Sequence, residues 1–454
     1  MIKKFFKENV VLLAVLTCIF LFHAVAGCYI AEKHPIFYNS NDGDEYYDMA
    51  VSFATDTSFT CHKHRYYELK HDKPLPEAHR AFGLPILAGL VMKIHNSIAT
   101  TAVVIAMIFT LLCGVIFFLT LNLTGSRMGG WIALILCNIH PLMMQYSFQF
   151  SSETLFTLAL LLFALTWQMK KDTILRYILL GIFGAMTALT RQTGMVLLPA
   201  ACFFLALPSF LQNCKDRKIF RWNKEYNYAL LYALIFFLCV TPYGLFNLKH
   251  HKTFSLSGYL GGYNIYFGNS LDNREAYRHL QEGQQFLYYQ RKAWDKAIQT
   301  AQNLPDQYKN LPTEQDRLLK KKAIENIKKM GFKNFAELVL IRAWHFIQPW
   351  SVPGVHSPVI FWGMTCFSLL LYAAGITGII LLIKKGAWKK LLAFAAYIPG
   401  LWFAHAIVHF YLRHRIPIVD PVLIVGSAMT AVILLQKLKE HYSLMKLKKA
   451  SQNS

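Results

Sequence analysis

Long runs of apolar positions, separated by short polar punctuation, recur along this chain from end to end. They fall at about Val10–Tyr29, Ser97–Leu121, Gly130–Ser147, Thr154–Met169, Ile174–Leu189, Gly194–Leu211, Asn227–Phe246, Val359–Ile383, Leu391–Tyr411 and Ile416–Leu435. A hydrocarbon core of about 30 Å takes roughly 20 apolar residues in a helix, so these runs predict about ten membrane helices. The run Phe82–Ile94 is shorter and carries Pro85 and Gly89, which predicts an interfacial helix rather than a crossing.

That choice fixes the topology. Lys3, Lys4 and Lys7 precede the first run, so the N-terminus is expected in the cytoplasm. With ten crossings, four other basic clusters share its side: Lys170, Lys171 and Arg176; Lys215, Arg217, Lys218, Arg221 and Lys224; Lys384, Lys385, Lys389 and Lys390; and the lysine-rich tail. An eleventh crossing would put all of them outside, against the positive-inside bias. The expected fold is therefore an all-α polytopic membrane protein with both termini cytoplasmic.

Composition agrees: 454 residues, 55% hydrophobic and only 16% charged. A net charge of +22 in a soluble chain would suggest nucleic acid, but here most basic clusters punctuate apolar runs and encode topology. No nucleic-acid partner is expected. Val25-Ala26-Gly27-Cys28 resembles a lipoprotein cleavage box, but a multi-pass chain uses its first segment as an anchor, so the helix is expected to be retained. The nine cysteines show no metal-ligand spacing; Cys28 and Cys61 flank the first outer loop and could pair in an oxidising compartment.

Three parts follow: a membrane module at 1–246 with its first outer loop at about 31–96, a long outer loop at 247–358, and C-terminal membrane helices with a basic tail at 359–454. A connection of such length is expected to be a functional, partly folded element. Within it, Phe335, Leu338, Val339, Ile341, Arg342, Trp344 and Phe346 predict an amphipathic helix lying on the membrane.

The candidate chemistry gathers on the predicted outer face. Asn41-Asp42-Gly43-Asp44-Glu45-Tyr46-Tyr47-Asp48 places four carboxylates where the chain leaves the membrane. Asn41 or Asp42 could cap a helix whose first turn holds Asp44 and Glu45, or one of these carboxylates could face a cavity as a general base. Glu153 stands at the mouth of an otherwise apolar helix, either favoured by the helix dipole with Ser152 as cap or facing water or a partner. Arg191 lies at an outer helix end, where it either snorkels or meets an anion. His79 and Arg80 precede the interfacial run, and Arg413, His414 and Arg415 precede the last span on the same side. Acids suited to deprotonating an acceptor thus sit with arginines suited to a phosphate, beside lipid and without a Gly-rich phosphate loop. This is the chemistry of a lipid-phosphate-linked sugar donor.

The same residues resemble the membrane-integral C-type (GT-C) glycosyltransferases. The likeness is to the bacterial branch similar to dolichyl-phosphate-mannose protein mannosyltransferases and lipid A aminoarabinose transferases, the family 39/83-like enzymes. Asp42, Tyr46 and Ala50 fit the family's first-loop pattern, Ser152-Glu153-Thr154-Leu155-Phe156 its second-loop acid, and Leu189-Thr190-Arg191-Gln192-Thr193 its arginine block. Arg80-Ala81-Phe82-Gly83-Leu84-Pro85 resembles its arginine–glycine–proline stretch without the usual prolines after the arginine, and the tract from Gly261 to Asn269 its Gly-Asn ending. The resemblance runs through most of the first 270 residues and returns at the last span.

It implies a polyprenyl-phosphate-sugar-dependent transferase, hexosyl or pentosyl, acting with inversion at the outer face of the plasma (inner) membrane on a lipid, glycan or protein acceptor. Asp42 would be the base, with Asp44 the alternative if the register slips by two, and Glu153 would assist. Glu45, Arg80, Arg191, Asn269, Arg413 and Arg415 would bind substrate. No cofactor is required; some relatives use a divalent ion near the first-loop acids, and Asp42, Asp44 and Glu45 could supply hard oxygen ligands. Cys61, His62, His64, His71 and His79 lack zinc-finger spacing. A transporter or flippase of lipid-linked sugars is the alternative, but it should show broken or repeated helices with polar residues at mid-membrane, whereas these acids and arginines keep to one face.

Overall fold

The computed structural model describes residues 2–40, 42–64, 69–169, 173–215, 222–280, 282–303, 311–350, 353, 357–409 and 411–452. Asn41, Lys170, Lys171, Arg217, Lys218 and Arg221 lie outside the described residues, as do the side chains of His64 and His71. The architecture is helical, with one two-stranded antiparallel ribbon, β1 (Thr60–His64) and β2 (Leu69–Pro76), in the first outer loop.

Most apolar runs become single helices close to their expected bounds: α1 (Ile2–Lys33), α5 (Ile98–Thr124), α8 (Ser152–Trp167), α9 (Ile174–Thr190), α10 (Leu197–Lys215), α11 (Lys224–His251) and α17 (Pro358–Lys384). Three runs differ, each at a proline. Gly130–Ser147 divides into α6 (Arg127–Ile139) and α7 (Pro141–Tyr146), because a residue before proline is driven out of the helical region and His140 sits at ψ 117. Leu391–Tyr411 divides into α18 (Trp388–Ala395) and α19 (Ile398–Ile407), with a proline in the first turn of the second. The last run stays non-helical through Pro417, and α20 (Asp420–Gln452) begins four residues after the expected start at Ile416.

Among the described residues seven helices are long and apolar enough to cross a membrane, while α6, α8 and α9 are shorter. The run expected to be interfacial forms only the ten-residue α4 (Gly83–Met92), packed between α3 (Gly43–Asp56) and α5.

Close backbone contact joins two of the C-terminal helices, α17 and α20, to each other. A Cβ on Gly378 of α17 would stand 1.7 Å from the carbonyl oxygen of Gly426 on α20. Glycines at this crossing let the two backbones touch, the usual device where lipid offers no hydrophobic drive between helices.

The long segment 247–358 is folded, as expected of its length. It holds α12 (Gly261–Gly268), α13 (Leu271–Arg278), α14 (Gly283–Gln302), α15 (Pro312–Met330) and α16 (Phe332–Ile347). Two small cores hold them together, one around Tyr263, Phe267, Ala297 and Leu319 and one around Tyr277, Phe286 and Leu338. The expected amphipathic helix is present as α16, with Leu338, Arg342, His345 and Phe346 on its buried face.

Cys28 and Cys61 are both free thiols. The Cys28 sulfur points to the carbonyl of Ala99 and the Cys61 sulfur to that of Glu45, so the suggested pairing is not formed.

Candidate active site

Helical phase sorts the first-loop acids. On α3 a turn takes 3.6 residues, so Asp42, Glu45, Tyr46 and Met49 share the buried face while Asp44 is exposed. Asp48 is only half buried and accepts the backbone N–H of His62. Asp44 therefore stands outside the site, contrary to the expectation that it could serve as a second catalytic acid.

Asp42 occupies the N-cap position, but its side chain makes no capping bond. Its Oδ1 instead accepts from Arg80 Nη2 at 2.9 Å, and its Oδ2 lies 3.5 Å from Arg413 Nη2. Arg80 also donates through Nε to Glu45, a buried carboxylate 1% exposed. Burial pushes the Glu45 carboxyl up to about 7, against the opposing pull of Arg80.

Arg80 is presented by a bent segment before α4. Glu77, fully buried, accepts the backbone N–H groups of His79 at 2.5 Å and Arg80 at 2.9 Å, and the Tyr243 hydroxyl donates to the Arg80 carbonyl at 3.1 Å. The sequence reading missed Glu77; its signal was an acid three residues before the arginine, able to cap the turn.

On α8 the N-cap is Ser151, and Ser152 is already helical, so Ser152 is not the cap. Its hydroxyl accepts from Arg191 Nη1 at 3.2 Å. Arg191 also reaches Glu153 at 2.7 Å, and Arg413 Nε lies 3.5 Å from the same carboxylate oxygen. Glu153, Arg191 and Arg413, drawn from three separate connections, thus close on one another beside Asp42.

Two expected binding residues lie elsewhere. Arg415 is buried, with Nε 3.0 Å from Asp420 and Nη1 donating to the Gln348 carbonyl, and Asp420 also meets His140 at 3.3 Å. Paired with Asp420 and buried, Arg415 does not line the cavity described below. Asn269 is buried at the end of α12, bonded to Ile265, Ile407 and Arg342 rather than facing open space.

The site opens into a cavity of about 680 Å³. Asp42, Tyr46, Arg80, Arg191 and Arg413 line one part of it, with Ser152 beside them. The long segment 247–358 contributes Leu260, Gly261, Asn264, Ile265 and Trp294. His405, His409, Tyr411 and His414 complete the wall, and of these only His414 was singled out in the sequence. Burial lowers the His409 and His414 imidazoles well below their ordinary value, so both are neutral at neutral pH. His405 and His409 were missed although their i, i+4 spacing inside an apolar run was a signal for one helix face; the turn at Leu412–His414 brings His414 against both.

Asp44 faces away, Asp42 and Glu45 are engaged by Arg80, and no cluster of three metal-type side chains occurs among the described residues.

The fold is that of a polytopic, GT-C-like membrane protein. Within that class, residues 79–243 match the family described as dolichyl-phosphate-mannose-protein mannosyltransferase. The chain is similar in fold to the Archaeoglobus fulgidus oligosaccharyltransferase tethered with an acceptor peptide containing the NVT sequon, at a TM-score of 0.50 and 13% identity over 97% of this chain and 51% of that one. It therefore spans about half the length of that protein. The same archaeal enzyme in complex with an inhibitory peptide and a dolichol-phosphate gives a TM-score of 0.49 and 13% identity, over 97% of this chain and 52% of that one. ArnT from Cupriavidus metallidurans bound to undecaprenyl phosphate gives a TM-score of 0.35 and 11% identity, over 93% and 78% of the two chains. No curated protein sequence matches the chain.

Proposed function

We propose that this protein is a glycosyltransferase that moves a sugar from a polyprenyl-phosphate-linked donor to a lipid, glycan or protein acceptor, with inversion, at the outer face of the plasma (inner) membrane. One observation carries the reading: Asp42 is the single carboxylate lining the cavity among the described residues, and it lies there with Arg80, Arg191 and Arg413. A base for a hydroxyl and cations for a phosphate share one chamber. The family match over residues 79–243 supports it.

In this mechanism the acceptor hydroxyl gives its proton to the Asp42 carboxylate as its oxygen bonds to the anomeric carbon. The bond from that carbon to the phosphate oxygen breaks, and the phosphate leaves with the electron pair. Arg191 and Arg413 hold the leaving phosphate, where fixed charge in a poorly hydrated site is most effective. Arg80 and Arg413 orient Asp42, and Glu153 keeps Arg191 and Arg413 in place before the donor arrives.

The test is a lipid and glycan profile of cells carrying wild type, Asp42→Asn or a deletion at matched protein levels. Loss of one glycosylated product in both altered strains, with the polyprenyl-phosphate sugar accumulating, is expected. Normal product from Asp42→Asn with loss in the deletion would refute Asp42 as base and favour transport of the lipid-linked sugar.

A further inference from the structure

Arg342 on α16 is a charged side chain shut off from solvent, at 0% exposure, and the mechanism above makes no use of it. Its partners are unusual. Nη1 donates to Asn269 Oδ1 at 3.2 Å and to the carbonyls of Ala406, Ile407 and Val408 at 3.3, 3.1 and 3.3 Å, while Nη2 donates to the Gly268 carbonyl. The guanidinium also lies over the Tyr277 ring at 5.4 Å. No carboxylate pairs with it among the described residues. Burial lowers its pKa only to about 10, so it remains a cation at neutral pH.

These partners are the C-terminal ends of two helices. The last carbonyls of a helix lack intrahelical donors and carry its negative dipole end, so a buried guanidinium is a suitable cap for two of them at once. One helix is α12, whose Gly261, Asn264 and Ile265 line the cavity; the other is α19, which runs into His405, Val408 and His409 on the same cavity wall. The contact is close: a Cβ at Gly268 would stand 1.8 Å from the Val408 carbonyl oxygen. Gly268 and Asn269 therefore belong to this clasp, which explains a Gly-Asn pair at a point away from the cavity.

We propose that Arg342 is a positioning residue for the acceptor half of the cavity. By tying α12 to the end of α19 it sets the gap between the outer-loop wall and the histidine wall, and its own partners are backbone carbonyls, Asn269 and Tyr277 rather than the arginines that hold the phosphate. The proposal rests on the transferase reading above.

The test uses full-length wild type, Arg342→Gln, Arg342→Lys, Asn269→Ala and Asp42→Asn in lipid nanodiscs. Three quantities are measured: binding of undecaprenyl phosphate, amide hydrogen exchange at 261–269 and 404–409, and transfer from a lipid extract of deletion cells to a dilution series of their envelope extract. In Arg342→Gln, exchange in those two segments should rise about tenfold, and the half-saturating acceptor extract at least about fivefold. Undecaprenyl phosphate affinity should stay within about threefold of wild type. Asn269→Ala should move the same way by less, and Arg342→Lys should fall between. Unchanged exchange and acceptor dependence overturn the proposal, and so does a weakening of phosphate binding equal to the acceptor effect. If Arg342→Gln fails to fold, Asn269→Ala decides on the same criteria. Should wild type itself neither bind undecaprenyl phosphate nor transfer, the transferase reading fails, and the exchange data still decide the clasp. Asp42→Asn, which should bind without transferring, separates the two failures.

Discussion

Glu153 and Arg191 meet at 2.7 Å across two helix ends that are 38 residues apart in sequence, with Glu153 only 1% exposed. Neither would be stable there alone, since a buried charge without its partner is strongly unfavourable. Replacing Arg191 with Ala leaves only the 3.5 Å contact of Arg413 on this carboxylate. Breaking a buried pair typically costs about 3–5 kcal/mol, so Arg191→Ala should lower the thermal midpoint as well as abolish sugar transfer. The double change Arg191→Met with Glu153→Leu should regain much of the midpoint and none of the transfer. Thermal unfolding in detergent checks the first half, and the glycan profile the second.

The phase of α3 separates Asp42 from Asp44. Asp42→Asn should reduce transfer by about 10²–10⁴, the usual worth of a positioned base. Asp44→Asn, an exposed position on the opposite face, should stay within about twofold of wild type. Product quantified from matched strains decides, and an equal loss in both would mean that the register is set differently from the one described.

Glu45 gives the first loop a pH dependence. Burial raises its folded carboxyl to about 7, above the ordinary value of 4.5, so the folded state holds the proton more tightly than the unfolded state. Its contribution is thus fully present below about pH 4.5 and is lost as pH rises through 7. The thermal midpoint of wild type should fall across that window, and Glu45→Gln should flatten the fall. A midpoint in Glu45→Gln with the same slope as wild type would count against Glu45 as its source.

Arg415 and Asp420 make a second buried pair, under the turn that carries Arg413. Arg415→Ala should destabilise by about 3–5 kcal/mol, and Arg415→Met with Asp420→Leu should recover most of it. Because Arg413, which holds the phosphate, rides on that turn, the single variant should lose undecaprenyl phosphate binding as well as stability. A binding isotherm beside a thermal scan checks both.

Much of this was legible in the residues. Apolar length announced the helices, and prolines at 141, 399 and 417 mark where three runs break: Pro141 drives His140 out of the helical region, Pro399 sits in the first turn of a new helix, and Pro417 lies in the non-helical stretch before the last one. Asp42, Glu153, Arg80, Arg191 and Arg413 stood out because charge at the end of an apolar helix needs a reason. Glu77 and Trp294 did not stand out, since nothing local distinguishes them from residues serving a turn or a core.

The sequence by itself determined the helical membrane class, the short length of α4 and the set of charged residues available at helix ends, because those depend on local hydrophobicity, proline geometry and the energy of charge near lipid. Only the tertiary structure decided which charges meet. It turned Asp44 outward by helical phase, gave Arg415 to Asp420, placed Asn269 behind the wall with Arg342, and brought Asp42, Arg80, Arg191 and Arg413 into one chamber with Glu153 buried against two of those arginines. Pairing of that kind depends on distances between connections far apart in the chain, and only packing of the helices sets those distances.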